Sequence, residues 1–322
     1  MTKEVRLSAS RIKCANECSW RYYCKYVLKI PDTSNDGARR GSVTHAVLEC
    51  LLRVNKKRRK EYAEAILAAN DPRAVPVIKR MIEIQSVFYE LNLDEENWEL
   101  ISKFILVGLK FDFYLDEFDL QDPELAFNLT EMDEDGRKYS MIGFIDKFAI
   151  KDDYARIVDY KTSKQKFSEK ELSFSIQALM YMLALKKLYP NLTKIDCDFL
   201  FLKFVQKPLQ RITYEGQELE DTLKGVEEYL FYVADQLKDY DLKKAGSKFA
   251  ADDWDTKWLC GRNPKKWKCP YRNKVRYYAV VDDKTGETIS SNRDKSKLKV
   301  KDGQTIKTFD YGGCPKFAFE NY

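Results

Sequence analysis

The sequence predicts a mixed α/β fold, a central mixed sheet flanked by helices, with a helical N-terminal part and a cysteine-bearing C-terminal segment. Three observations predict it. Apolar residues recur at helical spacing through residues 1–110. The period then drops to two, with Leu125, Phe127 and Leu129 alternating with other residues. From there the pattern runs strand, strand, strand, helix, strand up to residue 249, and 250–322 is a tail rich in Trp, Lys, Asp and Gly. A chain of 322 residues suits one large domain or two modest ones, and the expectation is a single domain of these three parts.

Ser8 and Ser10 can cap a first helix through RIKCANECSWRYYCKYVLKI. After the turn-rich PDTSNDGARRG, a second helix starts near Gly41. It carries His45, has Val43, Val47, Leu48, Leu51 and Leu52 on its apolar side, and ends in the basic run 56–60. Further helices are expected over 61–69, 74–91 and 95–106. MDEDGR reads as a hairpin turn between the strand at 125–129 and the return strand KYSMIGFIDKFAI. ARIVDY is the next strand, FSIQALMYMLALKKLY a helix, IDCDFLFLKFVQ and LQRITY two more strands, and 216–239 a long helix. Residues 275–311 look like an inserted hairpin with TGET at its turn.

Composition narrows the function. A charged fraction of 33% beside 44% hydrophobic residues points to a soluble protein with a real core. The net charge of +5 is too small for a polycation, so nucleic-acid contact would need a local basic surface. No apolar run is long enough for a membrane span and no signal core opens the chain, so a cytoplasmic protein with no membrane partner is expected. Disulfides are rare in that compartment, which makes the eight cysteines buried thiols or metal ligands. No GxxxxGK[ST] phosphate loop is present, so no ATP motor is visible.

The chemistry concentrates in MIGFIDKFAIKDDYARIVDYKTSK and SIQALMYM. Asp146 and Asp159 fall at neighbouring strand ends. Asp159 and Lys161, two apart on a strand, point to the same side. Gln177 and Tyr181, four apart on the following helix, share one face. Two carboxylates and a lysine so placed can hold a divalent metal and an attacking water beside a phosphate, because phosphodiester hydrolysis needs both charge neutralisation and a hydroxide near neutral pH. Hard oxygen ligands suit Mg²⁺ or Mn²⁺, and the carbonyl of Tyr160 can join the carboxylates.

These residues, together with SxSxIxC at Ser8–Cys14 and GxxxH at Gly41–His45, resemble the PD-(D/E)xK nucleases. The likeness is to the RecB/AddB type, the group that also includes the CRISPR adaptation nucleases and many phage exonucleases. The motifs fall in the family's order and span most of residues 1–207. The resemblance implies a restriction-endonuclease-like core and a metal-dependent deoxyribonuclease. Asp146 and Asp159 would be the metal-binding carboxylates and His45, the only histidine, an additional ligand. Lys161 would orient the water, and Gln177 and Tyr181 would buttress the site. Glu124 is the best match to an acidic residue on the preceding strand, ahead of Glu131. An imidazole ligand would favour Mn²⁺ over Mg²⁺.

The family analogy favours an exonuclease on DNA ends, single- or double-stranded, in recombination, repair or phage DNA metabolism, with recombination or replication proteins as partners. A sequence-specific endonuclease shares the same core. A catalytically inactive DNA-binding or assembly module is the other alternative, although such members usually lose an acidic residue or the lysine. In part of the family one N-terminal and three C-terminal cysteines hold a [4Fe-4S] cluster. Here Cys18, with Cys14 as substitute, and Cys260, Cys269 and Cys314 would fill that role. The long gap between Cys269 and Cys314 departs from the family spacing and leaves Zn²⁺ or plain buried thiols open. Cys24, Cys50 and Cys197 read as core. The basic runs 56–60 and 293–301 could track phosphates, and Trp20 and Tyr22 could stack on bases, but solvated or core roles are the commoner ones.

Overall fold

The computed structural model describes residues 5–33, 35–111, 118, 120–261 and 268–321. The chain divides into two compact units. One is Ser34–Tyr232. The other combines the chain ends, Met1–Thr33 and Val233–Tyr322.

In chain order the elements begin with β1 (Arg6–Leu7), α1 (Ala9–Glu17) and α2 (Ser19–Tyr22), the last continuing as a π-helical turn over Tyr23–Val27. The helical part follows as α3 (Asp36–Arg53), α4 (Lys56–Ala69), α5 (Pro76–Phe88) and α6 (Glu95–Lys110). Next come β2 (Leu120–Met132), β3 (Lys138–Lys151), β4 (Tyr154–Lys161), α7 (Glu169–Ser173), α8 (Ile176–Leu188), β5 (Lys194–Phe201), β6 (Leu209–Glu215) and α9 (Gly216–Leu237). The tail holds α10 (Leu242–Ala245), β7 (Val275–Asp282), β8 (Thr288–Asn292) and β9 (Gln304–Tyr311). No described helix is long and apolar enough to cross a membrane.

In the first unit β2 to β6 lie side by side in sequence order. β2/β3, β3/β4 and β5/β6 are antiparallel and β4/β5 is parallel, the crossover being α8. The expected mixed sheet is therefore present. Its β4 and β5 are buried nearly throughout, as parallel neighbours covered on both faces must be. The core joins Val47, Leu48 and Leu51 of α3 to Ile101, Phe104 and Ile105 of α6 and to Val158 and Leu200 of the sheet.

Three boundaries differ from expectation. The first helix is two helices: Ser8 caps α1, but Cys18 is extended (φ −160°) and its Sγ accepts from Arg21 N at 3.5 Å, so it ends one helix and caps the next. The basic run does not end α3. Asn55 caps a new helix there, and Arg59 turns inward to donate to the Leu52 carbonyl at 3.2 Å. The inserted hairpin is a three-stranded sheet, because β9 pairs along the whole of β7, from Val275↔Tyr311 to Asp282↔Gln304.

Candidate active site

β3 and β4 pair up to Lys147↔Val158, and the next rung sets Asp146 opposite Asp159. There the side chain takes over from the ladder: Asp146 Oδ2 accepts from Tyr160 N at 2.8 Å. Its other oxygen faces the α3 imidazole, with His45 Nδ1 and Asp146 Oδ1 3.2 Å apart. α3 can approach β4 this closely because residue 41 is glycine. A Cβ there would meet Thr162 Oγ1 at 2.8 Å.

Asp159 is 3% exposed. Its Oδ1 accepts from Gln177 Nε2 at 2.8 Å, and its Oδ2 lies 2.6 Å from Lys161 Nζ. Lys161 Nζ also donates to Gln177 Oε1 at 2.7 Å, and Gln177 Nε2 to the Tyr181 hydroxyl at 2.7 Å. Tyr181 meets the edge of Phe127 at 84°. Phe127 lies flat over β3 only because its register partner Gly143 has no side chain, since a Cβ there would stand 2.4 Å from the ring.

The electrostatics follow from burial and charge. Burial works to raise the Asp146 carboxyl, but His45, the Tyr160 amide and Lys161 together hold it below the ordinary aspartate value. Asp159 is pushed up to about 6 by burial, with Lys161 pulling the other way. Burial disfavours charge on His45, yet Asp146 outweighs it and raises the imidazole.

A cleft of about 360 Å³ opens on this arrangement, lined by Gly41, His45, Glu49, Glu124, Asp146, Tyr160 and Thr162 among others. Asp159, Lys161, Gln177 and Tyr181 stand outside that lining. Glu124 is the β2 residue between the pairs Pro123↔Lys147 and Leu125↔Ile145, as Asp146 is on β3, and it has the left-handed φ of +51°. A glutamate pays for that backbone only where surroundings impose it, as they do at functional sites. Glu131 lies at the other end of the hairpin, paired with Lys187 at 3.2 Å.

A family model of the PD-(D/E)XK nuclease superfamily matches residues 6–274. The chain belongs to the PD-(D/E)XK nuclease superfamily. Nucleases of this superfamily act on DNA and typically use Mg²⁺ or Mn²⁺. Among solved structures, the nuclease is similar to a Eubacterium rectale protein described provisionally as an exonuclease. The identity is 11%, covering 71% of this chain and 81% of that one, with a TM-score of 0.41. It is also similar to a protein designated SSO0001, at 13% identity over 67% of this chain and 84% of that one, with a TM-score of 0.27. No curated protein matches the nuclease.

Glu49 escaped the sequence reading. It is one helical turn after His45, lines the cleft and lies close enough to Glu124 to raise that carboxyl above the ordinary glutamate value. Its spacing of four from His45 was the available signal.

Among the described residues, no group of three or more His, Cys, Asp or Glu stands at metal-holding spacing. Yet the donors are of the right kind. Carboxylate oxygens of Glu49, Glu124 and Asp146 and the His45 imidazole line the cleft, with the Asp159 carboxylate behind them, and hard oxygens with one nitrogen suit a cation of the Mg²⁺ or Mn²⁺ class.

In the other unit Cys18, Cys260, Cys269 and Cys314 line one small apolar cavity together with Arg21 and Arg272. None forms a disulfide. Burial pushes Cys269 up to about 12 and Cys314 to about 11. Cys14 is outside that lining. Cys24 and Cys197 are core as expected, whereas Cys50 is only half-buried. Trp20 donates to the Tyr311 hydroxyl at 2.8 Å and Tyr22 is buried, so both serve the fold.

Proposed function

We propose that this nuclease is a metal-dependent deoxyribonuclease of the RecB/AddB-like type, acting as an exonuclease on DNA ends. What carries the reading is one continuous chain of contacts from His45 through Asp146 and the Tyr160 amide, beside Asp159, Lys161, Gln177 and Tyr181. It joins two neighbouring strands to helices before and after them, and its His45, Asp146 and Tyr160 end lines an open cleft.

His45, Asp146, Asp159 and the Tyr160 carbonyl would hold Mg²⁺ or Mn²⁺, with Glu49 and Glu124 in the lining of the same cleft. When bound, the cation neutralises phosphate charge and makes water acidic enough to attack. The chain's own groups do the positioning. Gln177 fixes Asp159 and Lys161 relative to each other through both ends of its amide. Lys161 brings a proton-bearing amine that can orient the nucleophilic water. Asp146 keeps the His45 ring turned into the cleft. Removal of DNA ends in recombination, repair or phage DNA metabolism, alongside recombination or replication proteins, is the role this chemistry suits.

Cleavage of end-labelled single- and double-stranded DNA with Mn²⁺ tests the reading. Wild type should release label progressively from an end, while Asp159→Ala and Lys161→Ala should be inert. Equal cleavage by wild type and variants removes these residues from the chemistry, and discrete internal products indicate an endonuclease. Binding without degradation by any of them indicates an inactive assembly module.

The four-cysteine cavity supports a [4Fe-4S] cluster held by Cys18, Cys260, Cys269 and Cys314, with Zn²⁺ as the alternative. Four thiols meet there and two arginines suit the negative charge of a thiolate-bound centre. Anaerobically purified protein should be brown and contain iron, and Cys18→Ser should lose both. Colourless protein containing zinc decides for the alternative.

A further inference from the structure

Beside the cleft, three cations from separate elements fall at one end of the β4/β5 strand pair. Arg40 precedes Gly41 on α3, and Gly41 abuts Thr162 just past the end of β4. Lys164 is two residues beyond Thr162. Lys203 follows β5, whose parallel register with β4 sets Lys161 beside Phe201 and so brings both lysines to the same end of the strand pair. The Leu202 amide donates to the Lys161 carbonyl at 2.8 Å and fixes that end.

Each of the two partly covered cations is oriented without being neutralised. Arg40 Nη1 donates to Asn97 Oδ1 at 2.5 Å, and the buried Asn97 amide is itself held by donation to the Asn92 carbonyl at 2.7 Å. The Lys203 amine lies 5.9 Å from the Phe104 ring centroid, a contact with a ring face and not with a carboxylate. Lys164 is exposed. Among the described residues none of the three forms an ion pair, whereas Lys161, Lys186, Lys187 and Lys194 of the same unit all do.

We propose that Arg40, Lys164 and Lys203 form a subsite for a backbone phosphate of the substrate strand flanking the scissile bond. The inference rests on the nuclease reading of the adjacent cleft and names what grips the strand next to it. Thr162 and Gly41 line the cleft itself, so the cations adjoin the place where the scissile phosphate would sit. Partial burial, with Lys164 and Arg40 nearby, holds the Lys203 amine below the ordinary lysine value. A polyanion relieves that repulsion, and solvent alone does so less well where the amine is partly buried. Oriented, unneutralised cations bind phosphate with little reorganisation.

The test is binding, which needs no turnover. Fluorescence anisotropy with a labelled oligodeoxythymidylate in chelator should show wild type losing affinity steeply with salt. Arg40→Gln/Lys164→Gln/Lys203→Gln should bind at least about tenfold more weakly at low salt, and its salt slope should fall by about 0.7 per cation removed. Lys164→Gln alone, at an exposed site, should show its share of that loss with an unchanged Tm. Replacing the linkages by uncharged methylphosphonates should weaken wild type and remove its advantage over the triple variant. Equal affinity and slope in wild type and both variants overturns the subsite, as does indifference of wild type to methylphosphonate. If wild type binds as expected but never cleaves with Mn²⁺, the nuclease reading fails and the subsite stands.

Discussion

Gln177 donates to Asp159 Oδ1 across 2.8 Å while its carbonyl oxygen takes the Lys161 amine at 2.7 Å. One helical amide thus sets the relative position of a buried carboxylate and a cation on strand β4. Gln177→Leu keeps the volume and removes both bonds. Cleavage by this variant should fall about 10- to 100-fold, the usual loss when a residue supporting a metal ligand is removed. The drop should appear in kcat with Mn²⁺ at saturation, with circular dichroism unchanged. Wild-type kcat in Gln177→Leu would show that Asp159 and Lys161 hold themselves in place.

The buried carboxyl of Asp159 makes a pH signature. Its value is raised from 3.8 to about 6 by burial. A group that holds its proton more tightly when folded stabilises the fold at low pH, and this stability is lost as pH rises through the folded value. His45, also raised, acts in the same direction above 6.5. In chelator, Tm should therefore fall as pH rises from about 4 to about 7, reflecting a loss on the order of 2–3 kcal/mol of unfolding free energy from Asp159. Mn²⁺ should offset the fall by binding the deprotonated site. Asp159→Asn should flatten the curve below pH 6. A Tm that climbs across this window in chelator contradicts the assignment.

Gly41 lets helix α3 lie against Thr162, and an added Cβ would meet Thr162 Oγ1 at 2.8 Å. Alanine is otherwise the better helix former by about 1 kcal/mol. Gly41→Ala should therefore cost little stability but displace the His45 end of the site, lowering kcat/KM severalfold. Adding Thr162→Ala removes the clashing hydroxyl and should restore activity. A double variant no better than Gly41→Ala would mean that the close packing of these two residues does not set the position of His45.

The parts of the site that were legible in the sequence share a physical reason. Asp159 and Lys161 sit at the end of a strongly patterned strand and Asp146, expected at a strand end, lies inside another, and in both side-chain direction follows from alternation. Gln177 and Tyr181 are four apart on an unmistakable helix. Glu49 carried only the weak signal of lying four residues after His45, because a single glutamate on an amphipathic helix ordinarily faces water, and only the fold brings it to Glu124. The left-handed backbone of Glu124 was not legible, since glutamate has no intrinsic preference for that region. Strand β9 escaped notice because its exposed positions, Lys307 through Asp310, carry mixed chemistry without clean alternation. The break at Cys18 depends on a thiol acting as a helix cap, which composition does not announce.

Asp198, wholly buried on β5, ties the site's strands together from behind. It accepts from Arg156 Nε of β4 at 2.6 Å and from Arg211 Nε and Nη2 of β6 at 2.6 and 2.8 Å. Taking away the carboxylate leaves the Arg156 guanidinium buried beside a neutral side chain, so Asp198→Ala should lose about 3–5 kcal/mol in urea unfolding. Arg156→Met/Asp198→Leu removes that buried pair together, leaves Arg211 its ion pair with Asp196 at 3.1 Å, and should recover much of that loss, because buried ion pairs gain little over well-packed apolar groups. Activity separates support from chemistry. Well below its Tm, folded Asp198→Ala should cleave at close to the wild-type rate, since Asp159 lies on β4 with its own bonds to Gln177 and Lys161. A kcat loss as large as that of Asp159→Ala in fully folded protein would place Asp198 in the reaction itself.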